Sequence, residues 1–408
     1  MTSAERLLQR CDELAQISSL ESGVLRAYLT PQHQQANQRV IGWMTQAGMD
    51  SWQDQAGNIW GRYSSSHVDA KVLIIGSHLD TVPNAGKYDG ILGVLAAIEL
   101  VDDLHRNNIQ LPFHIEVVGF GEEEGYRFGA ALLGSHAVAG SWKSEWLQLQ
   151  DKQGVTLAQA FEAFGLDAES VPQAARDPDA ILGYWELHIE QGPVLEDLNL
   201  PMGIVTGIAG ARRFEFTLTG SAGHAGTVPM HLRRDALVGA AEIIQAIEQL
   251  AIEHRVVATV GRIQAHPGGV NVIAGEVKFS LDIRSDNDQQ RDKAFAQIEQ
   301  QAQHICQQRQ LQFQLNQTHA APAVECAPEF MQVFQSALEK TGLGVTRLAS
   351  GAGHDAMAMA SLCKVGMLFL RCDRGISHHP DEAVTQADVV TGLVVLRSAL
   401  DEFTQSYG

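Results

Sequence analysis

Cysteine is scarce in this sequence, and its five copies are scattered. They are Cys11, Cys306, Cys326, Cys363 and Cys372 in a chain of 408 residues, and no two of them form a C-x-x-C pair. An odd number of widely spaced cysteines argues against a disulfide framework, and the missing pair argues against a thiolate metal site. Any metal bound by this chain would therefore be held by nitrogen and oxygen ligands.

The sequence also has few basic residues and no long apolar run. The chain has 29 Lys and Arg against 48 Asp and Glu, a formal charge of −19 at pH 7. Such a field repels phosphate groups and anionic lipids, so we expect neither a nucleic acid nor a membrane partner. No run of about 18 apolar residues occurs, and residues 1–16 lack the apolar segment of a secretory signal. These features predict a cytoplasmic protein.

The remaining composition is that of a folded globular chain. Proline, at 12 residues, is too rare and the hydrophobic fraction of 45% too high for a collagen-like or disordered protein. The length of 408 residues is well above the roughly 150 residues of a common domain. We therefore expect at least two domains, or one core with a sizeable insertion.

The first half of the chain alternates between strand and helix patterns. Residues 71–76 and 113–120 read as buried strands, and residues 90–105 carry apolar side chains at helical spacing. This order predicts an α/β layer with a largely parallel sheet, whose ligand sites lie at the carboxyl ends of the strands. Residues 142–179 read as a surface excursion that contains a short helix at 156–164.

From about residue 208 the pattern changes to β-α-β-β-α-β. The predicted strands are 214–218, 256–263, 277–283 and 311–315, and the predicted helices are 235–254 and 289–308. This is the order of a ferredoxin-like α+β module. A helix at 329–341, a strand at 365–370 and a helix at 386–403 then return to the α/β pattern. The prediction is a catalytic α/β domain of residues 1–207 and 322–408, interrupted by a domain of residues 208–321.

Polar residues that bind metals stand where the first strand ends and the next helix begins. His78 and Asp80 follow the strand at 71–76, and Asp89 immediately precedes the helix at 90–105. An imidazole and a carboxylate so placed can converge on one cation. The alternatives are that His78 is an ordinary loop histidine and that Asp89 is a helix N-cap.

Three adjacent acids, Glu122, Glu123 and Glu124, follow the strand at 113–120. A run of like charges is usually a solvated loop. This run, however, is delivered by an apolar strand into a cleft, where unpaired carboxylates are costly without a cation. His188 and the pair His378 and His379 lie near other predicted strand ends. Together the motifs supply imidazoles and carboxylates suited to Zn²⁺ or Mn²⁺ in a two-metal hydrolytic site.

Seven motifs in order make this pattern specific. They are GSHLDTVPNAGKYDG, GEEEGYRFGA, ELHIEQGPVLE, HAGTVPM, NVIAG, GAGHDAM and GISHHPDE. In this order, and along essentially the whole chain, they resemble the M20-type metalloamidases, in the hydantoinase/carbamoylase branch. The resemblance implies a dinuclear metal site in the α/β domain and an inserted domain that serves as a lid and a dimerisation surface, so a homodimer is expected.

The same resemblance implies a role for each site residue. His78, Asp89 and His188 would bind one metal ion, and Asp89, Glu124 and His378 the other, with Asp89 bridging. Glu123 would be the general base, and Asp80 would orient His78. His379 is the alternative to His378, and Glu122 is left with a surface or salt-bridging role.

A second set of residues would bind substrate. By the resemblance, His224, Asn271 and Arg284 of the inserted domain bind the substrate. Gln191 is expected to hydrogen-bond the ureido group, and Gly353 and His354 of the GAGHDAM motif are further candidates. Arg284 would clamp a carboxylate, since a guanidinium offers paired donors. The alternatives are that Arg284 forms an ion pair with Asp282 or Asp286, and that His224 is a turn histidine between glycines.

Enzymes of this branch cleave the terminal C–N bond of ureido acids, so we expect ammonia release. GAGHDA and a turn at Gly210-Ala-Arg-Arg213 favour allantoate, whereas N-carbamoyl-L-amino acids are the alternative substrates. The allantoate enzymes often carry Gln where Ala211 stands. A dipeptidase or deacylase of the same fold would share the metal ligands and is a further alternative.

Overall fold

The computed structural model describes residues 1–67 and 69–407, which form two compact units. Unit 1 comprises Met1–Thr206 and Glu325–Gly408, and unit 2 comprises Gly207–Val324. Unit 2 thus begins and ends inside unit 1, as a domain inserted in the sequence does. Across the described residues, no helix combines the length and the hydrophobicity needed to cross a bilayer.

Unit 1 is built on a mixed sheet with helices. Its strands are β1 (Asp50–Gln53), β2 (Ile59–Tyr63), β3 (Val72–His78), β4 (His114–Phe120), β5 (Ile181–Ile189), β6 (Met202–Ile208), which extends just past the unit boundary, and, after unit 2, β14 (Val324–Glu325), β15 (Arg347–Ser350) and β16 (Val365–Leu370). Its helices are α1 (Ser3–Ala15), α2 (Pro31–Gln46), α3 (Ile91–Arg106), α4 (Leu133–Val138), α5 (Leu157–Phe164), α6 (Val194–Asp197), α9 (Pro328–Lys340), α10 (Ala356–Met359) and α11 (Gln386–Tyr407).

The middle of this sheet is parallel and buried. The strand order is β1-β2-β4-β3-β5-β16-β6-β14. The four central strands, β4, β3, β5 and β16, are parallel to one another, and β2 and β6 pair with them antiparallel on the two sides. Every residue of β3, β4 and β16 is buried, as expected for strands covered on both faces. The parallel strands expected at 71–76, 113–120 and 365–370 are confirmed, and their carboxyl ends lie at one edge of the sheet.

Residues 142–179 are not the loose surface excursion that their composition predicts. Leu147, Leu157, Phe161 and Val171 are buried in a separate hydrophobic cluster with Tyr28 and other residues of unit 1. The expected short helix is present as α5, and Thr156 caps it with a reciprocal capping box. The segment has nearly as many apolar as polar residues, and enough of its apolar side chains are buried to anchor it.

Unit 2 follows the β-α-β-β-α-β order with additions. Its strands are β7 (Gly210–Thr219), β8 (Gly223–His224), β9 (Val257–Thr259), β10 (Ile263–His266), β11 (Val272–Ile273), β12 (Glu276–Ser285) and β13 (Gln312–Ala321), and its helices are α7 (Ala236–His254) and α8 (Asp288–Gln308). Buried and more exposed residues alternate along β12, which fits a sheet covered on one face. The single strand expected at 256–263 is instead two short strands, β9 and β10, which both pair with β12.

Candidate dinuclear metal centre

The parallel strands of unit 1 deliver the predicted ligands to one place. His78 is the last residue of β3, His188 is the next-to-last residue of β5, and Glu124 lies four residues beyond the end of β4. His378 follows β16 after a short 3₁₀ turn. Four chain segments that are far apart in sequence therefore meet at the carboxyl edge of the sheet, where α/β folds bind their ligands.

Asp89 lies at the centre of this group. Its Oδ1 is 3.2 Å from His188 Nε2 and 3.7 Å from His78 Nε2. Its Oδ2 is 3.1 Å from His378 Nε2, and that same nitrogen is 3.6 Å from Glu124 Oε2. The two oxygens of one carboxylate thus face two different sets of ligands, and the sets His78–Asp89–His188 and Asp89–Glu124–His378 each converge closely enough to hold an ion.

Asp89 is not the helix N-cap that its position before α3 allows. The residue preceding the helix is Gly90, whose φ of 71° is in the left-handed region that favours glycine. A Cβ at Gly90 would also lie 2.4 Å from His78 Nε2. The glycine therefore keeps the backbone close to the site, and the side chain of Asp89 is turned toward the histidines.

Backbone carbonyls fix the orientation of the two buried histidines. Nδ1 of His78 donates to the carbonyl of Asp80 at 3.0 Å, and Nδ1 of His188 donates to the carbonyl of Ile189 at 2.8 Å. The backbone N–H of Gly90 donates to Nε2 of His188 at 3.2 Å. With Nδ1 carrying a proton in each ring, both Nε2 atoms are directed at Asp89, which is the arrangement that metal-binding histidines require.

The resemblance implies that Asp80 orients His78, and in the structure the main chain of Asp80 makes the hydrogen bond to that imidazole. The carboxylate of Asp80 accepts the backbone N–H groups of Glu123 and Glu124, at 3.0 and 3.2 Å, whereas its Oδ1 is 3.7 Å from His78 Nδ1. The contact with His78 is made by the main chain of Asp80. The side chain instead holds the loop that carries both glutamates.

Strong electrostatic coupling follows from this crowding of charges. Burial alone would raise the pKa of Asp89, but the adjoining imidazoles of His188, His378 and His78 favour its charged form and hold that pKa well below its usual range. Burial, reinforced by the charge of Asp89, raises the pKa of Glu124 to about 7. The hydrogen bond with Asp89 raises the pKa of His378 to about 9. Glu124 and His378 therefore hold protons more readily than usual in this cluster of carboxylates.

The donor set fits divalent cations. Oε1 of Glu124 is buried and has no hydrogen-bond partner among residues 1–67 and 69–407. Imidazole nitrogens and carboxylate oxygens are ligands for Zn²⁺ and Mn²⁺, and no cysteine takes part. Two further groups of residues, Glu186–His188–His354 and His78–Glu123–Glu124, also converge within ligand distance. They share residues with the two sets around Asp89. Neither of them contains Asp89, the carboxylate that faces both of those sets.

Glu123 lies beside the centre without belonging to either set that contains Asp89. Its Oε2 is 3.9 Å from His78 Nε2, and the residue is 9% exposed. Burial, opposed by the charge of His78 and supported by the charge of Glu124, raises the pKa of Glu123 well above its usual range. A carboxyl group that readily holds a proton at the edge of a metal site is suited to general acid–base work.

The place of Glu122 in an acidic run predicts a surface or salt-bridging role, and this prediction is wrong. Glu122 is fully buried, with a φ of 58°, and its Oε1 accepts the backbone N–H groups of Arg127 and Phe128. Burial, reinforced by the charge of Asp80, raises the pKa of Glu122 to about 8. The side chain therefore holds the turn that follows the glutamates.

The structure distinguishes the two adjacent histidines. His378 faces Asp89, whereas Nδ1 of His379 accepts the backbone N–H of Asp381 at 3.1 Å. The φ of His378, 55°, lies in the left-handed region.

Three predicted substrate-binding residues belong to unit 1. Gln191 donates from Nε2 to Asp89 Oδ2 at 2.9 Å, and its Oε1 has no hydrogen-bond partner in the described part of the chain. A Cβ at Gly353 would lie 3.8 Å from Glu123 Oε1, so this glycine is next to the predicted base. His354 is 1% exposed and its Nε2 lies 2.7 Å from Ser350 Oγ, so its ring packs behind His188 instead of lining an open surface.

The other three lie in unit 2. His224 and Asn271 are exposed, and the ribbon of β8 and β11 brings them together, with the N–H of Ala225 donating to the carbonyl of Asn271 at 2.9 Å. Arg284 forms a two-point ion pair with Asp282, at 2.8 and 3.0 Å, as the alternative interpretation expects. Arg284 lies near the end of β12, about 27 Å along the strand from Glu276, where the ribbon joins.

Sequence reasoning missed two residues that contact the centre. Ser377 donates to Asp89 Oδ2 or to Glu382 Oε2, which lie 3.1 and 2.9 Å from its hydroxyl oxygen. Glu382 is 3% exposed and accepts the backbone N–H of Asp89 at 3.1 Å. Both belong to the GISHHPDE motif, and that membership is the only signal the sequence offers, because a serine and an acid in a charged loop are ordinary surface residues.

Comparison with known proteins agrees with the geometry. The sequence matches the model of peptidase family M20/M25/M40 over residues 74–402. It is 40% identical to an N-carbamoyl-L-amino acid amidohydrolase of Geobacillus stearothermophilus, covering 99% of this chain and 100% of the relative. It is also 40% identical to an allantoate deiminase of Arabidopsis thaliana, covering 96% of this chain and 81% of the relative.

Solved structures give the same answer. A hydantoinase/carbamoylase family amidase from Burkholderia multivorans superposes with a TM-score of 0.92 and 34% identity, covering 98% of this chain and 97% of the other. The resemblance carried by the seven motifs is thereby confirmed. The chain is a hydrolase that belongs to the peptidase family M20/M25/M40.

Proposed function

We propose that this chain is a two-metal amidohydrolase that removes the terminal nitrogen of a ureido acid as ammonia, and that allantoate is its substrate. The observation that carries the proposal is the position of Asp89, whose two carboxylate oxygens face two separate ligand sets. Two divalent ions held by these sets would act as Lewis acids toward a ureido carbonyl group. Both donor sets can bind either Zn²⁺ or Mn²⁺, and we propose one of these as the physiological metal.

Glu123 is the group that moves protons in this scheme. In its ionised form it takes a proton from the water that attacks the ureido carbonyl carbon, and it then gives that proton to the leaving nitrogen. The terminal C–N bond breaks, ammonia departs, and the carbamate left behind loses carbon dioxide. The unpartnered Oε1 of Gln191 is available to accept an N–H of the ureido group.

The preference for allantoate is supported by the GAGHDA motif. Gly353 in this motif lies beside Glu123, so the absence of a side chain there leaves room next to the reacting group. The other sequence feature that favours allantoate is an expected turn at residues 210–213. That expectation is wrong, because Arg212 and Arg213 lie in strand β7 and not in a turn. Arg212 pairs with Asp292, and Arg213 pairs with Asp282.

N-carbamoyl-L-amino acids are the second candidate substrates. Relatives named for this activity reach 40 and 41% identity, and relatives named for allantoate reach 40%. Overall similarity therefore favours neither substrate, and the choice depends on the residues near Glu123.

We also propose that the active form is a homodimer. Arg284 lies near one end of β12, about 27 Å along the strand from Glu276, and the ribbon of β8 and β11 that carries His224 and Asn271 joins β12 at the Glu276 end. If all three bind one small ureido acid, two chains have to contribute them. This arrangement supports an assembly in which unit 2 supplies the contacts between copies.

Ammonia release tests the proposal. Purified protein is stripped with a chelator, reloaded with Mn²⁺ or Zn²⁺, and assayed with allantoate, a set of N-carbamoyl-L-amino acids and a set of dipeptides at matched concentrations. We expect metal-dependent ammonia release that is fastest with allantoate. A preference for a carbamoyl amino acid would move the substrate to the second candidate, and cleavage of dipeptides alone would contradict the proposed reaction.

A further inference from the structure

A buried glutamate outside both ligand sets joins the two halves of the centre. Glu382 is 3% exposed and lies four residues after His378. Its Oε1 accepts the backbone N–H groups of Tyr88 and Asp89, at 2.8 and 3.1 Å. Its Oε2 is 2.9 Å from the hydroxyl oxygen of Ser377. One side chain thus connects the segment that carries the bridging carboxylate with the segment that carries His378.

The hydrogen bonds around Asp89 show what this connection does. Oδ2 of Asp89 is 2.9 Å from Gln191 Nε2 and 3.1 Å from Ser377 Oγ. The Ser377 hydroxyl has one proton and two carboxylates within reach. When it donates to Glu382, it leaves a lone pair of Asp89 Oδ2 available toward His378. The carboxylate of Glu382 therefore holds the main chain of Asp89 and competes with Asp89 Oδ2 for the Ser377 proton.

The chain makes room for this contact with a glycine. A Cβ at Gly86 would lie 2.3 Å from both Cβ and Oε1 of Glu382. Real side chains do not approach so closely, so a larger residue at Gly86 would displace Glu382 from the Tyr88–Asp89 backbone. Position 86 is thus a second way to disturb the contact while keeping the carboxylate in the chain.

We propose that Glu382 is a positioning residue that keeps Asp89 and His378 at the relative positions needed to bind two metal ions. The proposal rests on the two-metal function argued above. Glu382 touches no substrate in this scheme, and it acts through the main chain of Asp89 and through Ser377. Partners that orient metal ligands in this way typically contribute about 10- to 100-fold to metal affinity.

The test is titration of the chelated full-length protein with Zn²⁺, followed by calorimetry, together with thermal unfolding of the metal-free protein. We expect the wild type to bind two ions and Glu382→Ala to bind at least one of them about 10- to 100-fold more weakly. Glu382→Gln keeps the acceptor for both N–H groups but turns the Ser377 proton toward Asp89, so we expect an intermediate affinity. Gly86→Ala should weaken binding in the same direction as Glu382→Ala.

A matched control separates positioning from general loss of stability. Asp388 is also a buried acid of the C-terminal segment, and its carboxylate pairs with Arg371 and, within the described residues, with none of the candidate metal ligands. We expect Asp388→Ala to lower the unfolding temperature and to leave both Zn²⁺ affinities unchanged. Wild-type affinities in Glu382→Gln, Gly86→Ala and any folded Glu382→Ala would overturn the positioning role. A wild type that binds no ion, or only one, would instead contradict the two-metal function itself.

Discussion

Replacement of Glu123 by glutamine tests the assignment of the general base most sharply. The substitution keeps the volume of a side chain that is 9% exposed, and it keeps the backbone N–H that donates to Asp80 Oδ1 at 3.0 Å. It removes the group that accepts and returns a proton. The fold and the ligand sets around Asp89 should therefore persist, and only the proton transfer should be lost.

The magnitude follows from the general acid–base contribution. Such groups typically supply about 10²- to 10⁴-fold in rate, which corresponds to about 3–5 kcal/mol of activation free energy. We expect Glu123→Gln to lower kcat by that factor while the metal content stays at two ions. The assay is ammonia release at saturating substrate, with metal content measured on the same protein sample.

Glu122→Gln is the matched control, since it makes the same change one residue earlier in the same loop. Glu122 contacts the backbone of Arg127 and Phe128, so its replacement should leave kcat close to that of the wild type. Near-normal turnover in Glu123→Gln would refute the assignment. Loss of an ion from Glu123→Gln would show that the set His78–Glu123–Glu124 is the one that binds metal.

Three further predictions concern binding, specificity and stability. Arg284→Lys should raise KM for an anionic substrate and leave kcat nearly unchanged, because a point charge replaces a two-point donor; an unchanged KM would remove Arg284 from the substrate site. Gly353→Ala places a methyl group 3.8 Å from Glu123 Oε1 and should lower kcat/KM for allantoate more than for N-carbamoyl-L-amino acids, and an equal effect on both would remove Gly353 from substrate selection. Burial lowers the pKa of His33 to about 3, so the unfolded chain binds the extra proton between pH 6.5 and 3 and the folded state loses stability as pH falls through that window. The loss from this one group is on the order of 4–5 kcal/mol. His33→Asn should flatten that part of the stability profile in urea unfolding, and an unchanged profile would contradict the buried neutral state.

Much of the fold could be predicted because its signals are local. The buried strands β3, β4 and β16 are short apolar runs, and α3 and α7 carry apolar residues at helical spacing. Where tertiary contacts decide, the local pattern is wrong. The sequence of 142–179 predicts a surface excursion, yet this segment packs on its own cluster around Phe161 and Leu157.

The convergence of the candidate ligands could be predicted because strand ends and motifs place them. What stayed hidden were the hydrogen bonds between segments that are distant in sequence. Glu122 lies in a run of acids and Glu382 in a charged loop, so the sequence predicts that both are solvated. In the structure both are buried. The carboxylate of Asp80 likewise reaches forward to the loop of Glu123, a contact across 43 positions that no local spacing reveals.

The central claim is that Asp89 bridges two ions, and anomalous diffraction from crystals soaked in Mn²⁺ tests it most directly. The account predicts two anomalous peaks about 3.5–4 Å apart, one near His78, Asp89 and His188 and the other near Asp89, Glu124 and His378. A single peak, or a peak held by Glu186, His188 and His354 with Asp89 uninvolved, would contradict it.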